Sequence, residues 1–205
     1  MEYPSDRKLW EQTARSDAAF AELFERHAKA VYNYCFRRVG KWDLAEDLMA
    51  ATFLEAWRRR DEIQLSGESL RPWLLGTATN LMRNQRRSAR RRDAALQRVQ
   101  AEMPRLLPED DAADRLDDER RMHNLLNMVA DLPEQEQEAL ALVVWSDLSY
   151  EEAGLALGIP VGTVKSRVAR ARRRLRELSL GTGHYSNESS ALAGASITQP
   201  SEDEG

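Results

Sequence analysis

A chain of 205 residues, 42% hydrophobic and 31% charged, is sized for one domain or two small ones and carries enough charge for much exposed helix. No apolar run approaches the roughly 18 residues of a membrane span, and the opening MEYPSDRKLW has no signal-peptide core, so a cytoplasmic chain without membrane insertion is expected. A single cysteine, Cys35, excludes an internal disulfide, and three scattered histidines, His27, His123 and His184, offer no metal set.

Residues 1–16 are polar and read as an N-terminal tail. From Asp17 onward Phe20, Leu23, Phe24, Val31 and Cys35 recur at three- and four-residue steps, which predicts a helix ending before Gly40. A second helix is expected to open with Asp43 as its cap and Glu46 three residues on. Leu44, Leu48, Phe53, Ala56 and Trp57 supply its apolar surface. Residues 58–70, RRRDEIQLSGESL, mix both charges around the Ser66-Gly67 turn signal and read as a loop.

Pro72 suits the first turn of a third helix. Trp73, Leu74, Leu75, Ala78 and Leu81 give its first half a buried character. Its second half turns to arginine: Arg83, Arg86, Arg87, Arg90, Arg91 and Arg92. Such a cluster neutralises phosphates and makes binding steeply salt-dependent. Asn80 stands at the change-over, either as a surface residue or as a polar side chain facing a base.

Residues 93–118 include MPRLLPEDDAADRLDD, whose prolines and acids mark a flexible linker. The charge is divided accordingly. Residues 1–92 carry 18 basic against 13 acidic groups, and residues 93–121 carry 5 against 9. Helical periodicity returns through Met122, Leu125, Leu126 and Val129, breaks at Leu132-Pro133, and resumes from Glu134 to Trp145 with Leu140, Val143 and Val144 inward.

The segment Ser146 to Leu178 reads as two helices joined by a tight turn. Ser149 and Glu152 form a capping-box pattern, Gly158 can take the left-handed conformation that stops a helix, and Pro160 suits the start of the next. Ala153, Ala156 and Leu157 make a small-residue face that admits a close helix. Val161, Val164, Val168, Ala171, Leu175 and Leu178 fall on one side of the second helix. Gly162, Ser166, Ala169, Arg170 and Arg173 lie opposite, flanked by Lys165, Arg167, Arg172 and Arg174. Charge runs are usually solvated faces. This one follows a capped helix and a tight turn, which is the pattern of a DNA-binding helix-turn-helix.

Residues 179–205 are rich in Ser, Gly and Ala and read as a disordered tail. No strand signal appears. The expected fold is all-α: two small helical domains, 17–92 and 119–178, joined by a flexible acidic linker, 93–118, with the helix-turn-helix in the second.

This layout resembles the extracytoplasmic-function (ECF) sigma factors of bacteria, over about Phe20 to Leu178. DLAEDLMAATFLEAW (Asp43–Trp57) is similar to the family segment that grips RNA polymerase, with Glu46, Asp47 and Glu55 as contacts. RPWLLGTATN (Arg71–Asn80) and the arginines after it resemble the segment that melts the promoter and reads its −10 element. The resemblance implies DNA contacts at Asn80, Arg83, Asn84, Arg86, Arg87, Arg90 and Arg91, and a loop 58–70 that captures an extruded base. LPEQEQEAL (Leu132–Leu140) and LSYEEAGLALGIPVGTVKSRVARAR (Leu148–Arg172) resemble the −35-reading domain. Lys165, Ser166, Arg167, Ala169, Arg170, Arg172 and Arg173 are its expected DNA contacts.

The resemblance implies core RNA polymerase and promoter DNA as partners, commonly joined by an anti-sigma factor. Two departures stand out: Ala50-Ala51 replaces a usual polar pair, and Asn84 stands where the family often has Asp. A stand-alone regulator would instead need a sensor domain or dimer seam in residues 1–92, and neither is visible. A sigma-like decoy that titrates an inhibitor would not need both arginine-rich helices. An enzyme would need a phosphate loop, a nucleophile-base set or a metal set. None can be named, so no catalytic residue, cofactor or small-molecule substrate is expected.

Overall fold

The computed structural model describes residues 4–96, 126, 127 and 129–191, and every regular element among them is helical. The first helix, α1 (Asp6–Gln12), lies where the sequence reads as a polar tail. Ser5 caps it by accepting the Lys8 N–H, and Leu9, Trp10 and Asp6 are buried. One short helix with two large apolar anchors leaves too brief a pattern for periodicity to register.

Helix α2 (Asp17–Val39) ends at Gly40, which takes φ 67° and donates its N–H to the Phe36 carbonyl. Helix α3 (Trp42–Arg58) begins earlier than expected. Lys41 is its N-cap residue, and Asp43 sits in the first turn, where its charge complements the helix dipole. Helix α4 runs Arg71–Leu96, so it enters the segment expected as linker; residues 97–118 of that segment lie outside the described residues.

These four helices share one core. Leu23, Val31 and Tyr34 of α2 meet Ala45, Leu48 and Phe53 of α3 and Leu74, Leu75 and Ala78 of α4. Phe20 sets its ring edge-on to Trp57 at 4.9 Å. Cys35 is fully buried, which pushes its thiol up to about 12 and makes it a packing residue.

After helical residues at 126, 127, 129 and 130, α5 (Glu134–Leu140) continues directly into a π-helical turn, Ala141–Trp145. The wider turn shifts the helical phase, and Val144, expected inward, is 43% exposed. The capping box at Ser149 and Glu152 forms as expected and opens α6 (Tyr150–Leu157), which Gly158 closes at φ 65°. Helix α7 runs Val161–Ala191. It therefore passes the Leu178 boundary expected for the tail, while residues 192–205 lie outside the described residues.

The two halves pack together where α4 crosses α6. A Cβ added at Gly76 would meet the Ala156 carbonyl and lie 3.0 Å from the Ala156 Cα, so the helices touch backbone to backbone. This is the close approach that the small residues of α6 permit. No helix among the described residues is long and apolar enough to cross a membrane.

Candidate nucleic-acid interface

Val164, Val168 and Ala171 hold α7 in the core, and Lys165, Ser166, Ala169, Arg172 and Arg173 are exposed. Gly162 has nothing within 4 Å of an added Cβ, so the start of the helix keeps a low, open profile. The Lys165 ammonium lies over the Tyr150 ring, 5.7 Å from its centroid. Ser166 turns its hydroxyl back to donate to the Thr163 carbonyl at 3.0 Å.

Helical projection puts Arg170 with Ser166 and Ala169, away from the packing seam. Arg170 is exposed with them, and the structure adds a partner that the projection does not show. Arg170 donates through Nε to Glu136 Oε1 at 3.3 Å, on the flank that faces α5. Arg174 reaches the same carboxylate, Nη1 lying 3.6 Å from Oε2, and Arg167 donates to Gln135 at 2.9 Å. Arg170 remains half exposed, and its tether uses Nε rather than the terminal nitrogens. Glu136 thus aims the guanidinium instead of consuming it.

The α4 arginines face a different environment from the one their density suggests. Arg83 forms a bidentate pair with Glu138, Nε to Oε1 at 2.6 Å and Nη2 to Oε2 at 2.5 Å, and donates to Asn80 through Nη1 at 3.1 Å. The Glu138 carboxylate is buried, and its hydrogen bonds raise the Arg83 guanidinium further above its ordinary range. Arg86 pairs with Glu134 at 3.1 Å. Below them Arg38 is buried, and burial pushes its guanidinium down.

Asn80, Asn84, Arg87 and Arg91 are exposed. Asn84, Arg87 and Arg91 line one hollow with Ser88, and Arg91 donates to the Ser88 hydroxyl at 3.4 Å. The Arg90 side chain lies outside the described residues. A cleft of about 490 Å³ is lined by Arg83, Arg86 and Arg87 of α4 together with Glu134, Glu138 and Arg167. The two basic surfaces therefore meet across a line of acids. A guanidinium held by a buried carboxylate is not available to a phosphate until the pair opens, and leaving such a charge unpaired costs about 3–5 kcal/mol.

On α3, Glu46 and Asp47 are exposed as the acidic part of an outer face. Asp43, Asp47, Ala50 and Leu54 follow at helical spacing, and Leu54 is 47% exposed. Glu55 is not on that stripe. It turns toward the flank, within 3.8 Å of Arg59. Leu54 is not among the apolar residues expected to face the core, and its spacing from Asp47 and Ala50 is the signal that places it outside.

Two helical domains, one ending in an arginine-rich helix and the other in a helix-turn-helix with an exposed basic face, define a DNA-binding protein of transcription. Residues 23–92 match the family model "Sigma-70 region 2", and residues 122–175 match "Sigma-70, region 4". The chain is 36% identical to the RNA polymerase sigma factor CarQ of Myxococcus xanthus over 160 residues, 78% of this chain and 88% of that one. It is 30% identical to the ECF RNA polymerase sigma factor SigL of Mycobacterium tuberculosis, over 80% of this chain and 90% of the other. The solved sigma factor RpoE of Bartonella quintana, in complex with the anti-sigma factor NepR, aligns with a TM-score of 0.59 at 30% identity. That alignment covers 78% of this chain and 95% of RpoE. The chain belongs to the ECF branch of the sigma-70 family.

Proposed function

We propose that the chain binds core RNA polymerase, brings it to promoters carrying dedicated −35 and −10 elements, and helps open the duplex to start transcription. The observation that carries this reading is the presence of two cationic helices, α7 and the second half of α4, in the regions matched to sigma-70 regions 4 and 2.

In this reading α7 enters the major groove at the −35 element. Ser166 and Ala169 let it sit deep, and Arg170 offers its terminal nitrogens to a base edge. Lys165, Arg167, Arg172 and Arg173 meet phosphates. Asn80, Asn84 and the loop before α4 read the −10 element, and Arg83, Arg86, Arg87, Arg90 and Arg91 hold its backbone. Glu46 and Asp47, extended by Leu54, dock on the polymerase, with Glu55 at the edge. The RpoE relative was solved with an anti-sigma factor, and by that likeness an anti-sigma factor is the expected regulator here.

Arg83 and Arg86 are occupied by Glu138 and Glu134 in the closed arrangement. The isolated chain therefore binds duplex weakly, and polymerase, by holding the two halves apart, exposes the α4 surface. Run-off transcription with purified core polymerase on genomic fragments tests this directly. Discrete transcripts that require the chain are expected. Transcription no different from core polymerase alone, together with nanomolar sequence-specific duplex binding by the chain, would mean a stand-alone regulator.

A further inference from the structure

The loop between α3 and α4, residues 59–70, makes its own turn bonds only at its start, where the Glu62 and Ile63 N–H groups donate to the Arg59 carbonyl. From the Ile63 carbonyl onward its backbone groups bond to α1, more than fifty residues earlier in the chain. Arg7 donates its backbone N–H to the Glu68 carbonyl at 3.2 Å. Its guanidinium donates to the Leu65 carbonyl at 3.2 Å and to the Gly67 carbonyl at 3.1 and 3.3 Å. Trp10 Nε1 donates to the Ile63 carbonyl at 3.1 Å. At the far end, Asp6 Oδ2 accepts the Leu70 N–H at 2.9 Å and the Ser69 hydroxyl at 3.2 Å. Five backbone positions of one loop are thus satisfied by three side chains and one amide of a single turn of helix.

That turn is itself anchored. Asp6 lies 2.6 Å from His27 Nε2 and 2.8 Å from Arg26 Nη1, both on α2, and Leu9 and Trp10 are buried in the core. The chain of fixation runs from α2 through α1 to the loop. Backbone groups of an irregular segment must find partners; supplied from a rigid element, those partners also fix where each loop side chain points. The loop residues Gln64 and Ser66 border a hollow of about 150 Å³ with Trp73 at the start of α4 and with Glu152 and Leu155 of α6 on its far side.

We propose that α1 is the positioning element for this loop: Asp6, Arg7 and Trp10 set its backbone and thereby the base preference at the −10 element, without touching DNA themselves. The inference rests on the proposed −10 role of the loop. Arg7 is the residue to test, because its side chain is 42% exposed and its loss leaves the core intact.

The experiment uses the full chain with core polymerase and a selection over randomised −10 and −35 sequences, comparing the unmodified protein with Arg7→Ala and Gln64→Ala. Hydrogen exchange of the free proteins is measured in parallel. Arg7→Ala is expected to flatten the preference at the loop-read position by roughly tenfold, the value of one well-placed base contact. The −35 preference and polymerase affinity stay as they were, and faster exchange is confined to residues 62–70. Retained −10 preference in Arg7→Ala, while Gln64→Ala loses it, would overturn the role of α1 and leave the loop's role standing. No change in either variant would remove the −10 role of the loop, and the inference with it. A uniform loss of both preferences, with exchange raised throughout α2 and α4, would reduce Arg7 to a stability residue and equally overturn the proposal.

Discussion

Arg83 and Glu138 stand 55 positions apart in the chain, in different halves of the molecule, yet they form a bidentate pair at 2.6 and 2.5 Å. Glu134 repeats the arrangement one turn away with Arg86. Acids of one half thus occupy the cations with which the other half would hold DNA.

Neutralising those acids should release the arginines. Glu134→Gln with Glu138→Gln is expected to strengthen binding of the isolated chain to promoter duplex. It should also steepen the slope of log K against log salt by about one for each arginine freed. Fluorescence anisotropy over a salt series measures both. An unchanged slope would show that these arginines do not reach phosphates.

Gly76 makes a second, independent test of the closed arrangement. A methyl group there has no room beside the Ala156 backbone. Gly76→Ala should therefore part the two halves while each keeps its helices. A larger radius of gyration by solution scattering, with unaltered helical circular dichroism, is the expected result. Identical scattering would mean that α4 and α6 are not in contact in solution.

The proposed docking of polymerase on the outer face of α3 can be tested residue by residue. Asp47→Arg and Leu54→Ser should each weaken affinity for core polymerase by about tenfold or more, as central interface residues do. Glu55→Arg should cost much less, since Glu55 turns toward Arg59. Competition against a labelled sigma factor ranks the three. Equal losses would place Glu55 on the same surface as Asp47.

Arg170 pairs with Glu136, so its proposed base-reading role predicts a dependence on that acid. Arg170→Ala should relax preference at one or two base pairs of the −35 element, worth about 1–3 kcal/mol of discrimination. Glu136→Gln, which leaves the arginine in place but unaimed, should relax the same positions by less. Arg172→Ala should weaken all promoters about equally. A selection over randomised −35 sequences separates the cases. Uniform shifts in all three variants would remove Arg170 from base reading.

Asp6 links the fold to pH. Burial alone would raise its carboxyl, but hydrogen bonds from His27, the Leu70 N–H and Arg26 hold it well below the ordinary carboxylate range. A depressed group contributes stability that is complete above its unfolded value, near 3.8, and is lost as pH falls below that value. Asp6→Asn should cost about 3 kcal/mol at pH 7, the usual result of breaking a buried pair. The difference from the unmodified chain should shrink below about pH 4. Thermal unfolding between pH 3 and 7 reads it, and a constant difference across that range would mean that Asp6 acts through packing alone.

Short-range chemistry was legible without coordinates. Ser149, Glu152, Gly158 and Pro160 act on backbone groups a few residues away, so their order in the chain is enough to delimit α6 and the start of α7. The apolar periodicity of α2 likewise marks its length, and the arginine run of α4 its cationic character, because both are properties of a single helix. What the order of residues does not carry is the identity of partners brought together by the fold. Glu134, Glu136 and Glu138 read as ordinary acids on a helix; only packing aims them at Arg86, Arg170 and Arg83. The π turn changes which valine faces inward, since phase accumulates along a helix and one wider turn resets it. The seven residues of α1 are too few to show a period, and they matter through backbone carbonyls more than fifty residues away. Contacts that close over such separations leave no local pattern, so they were decided by the tertiary structure alone.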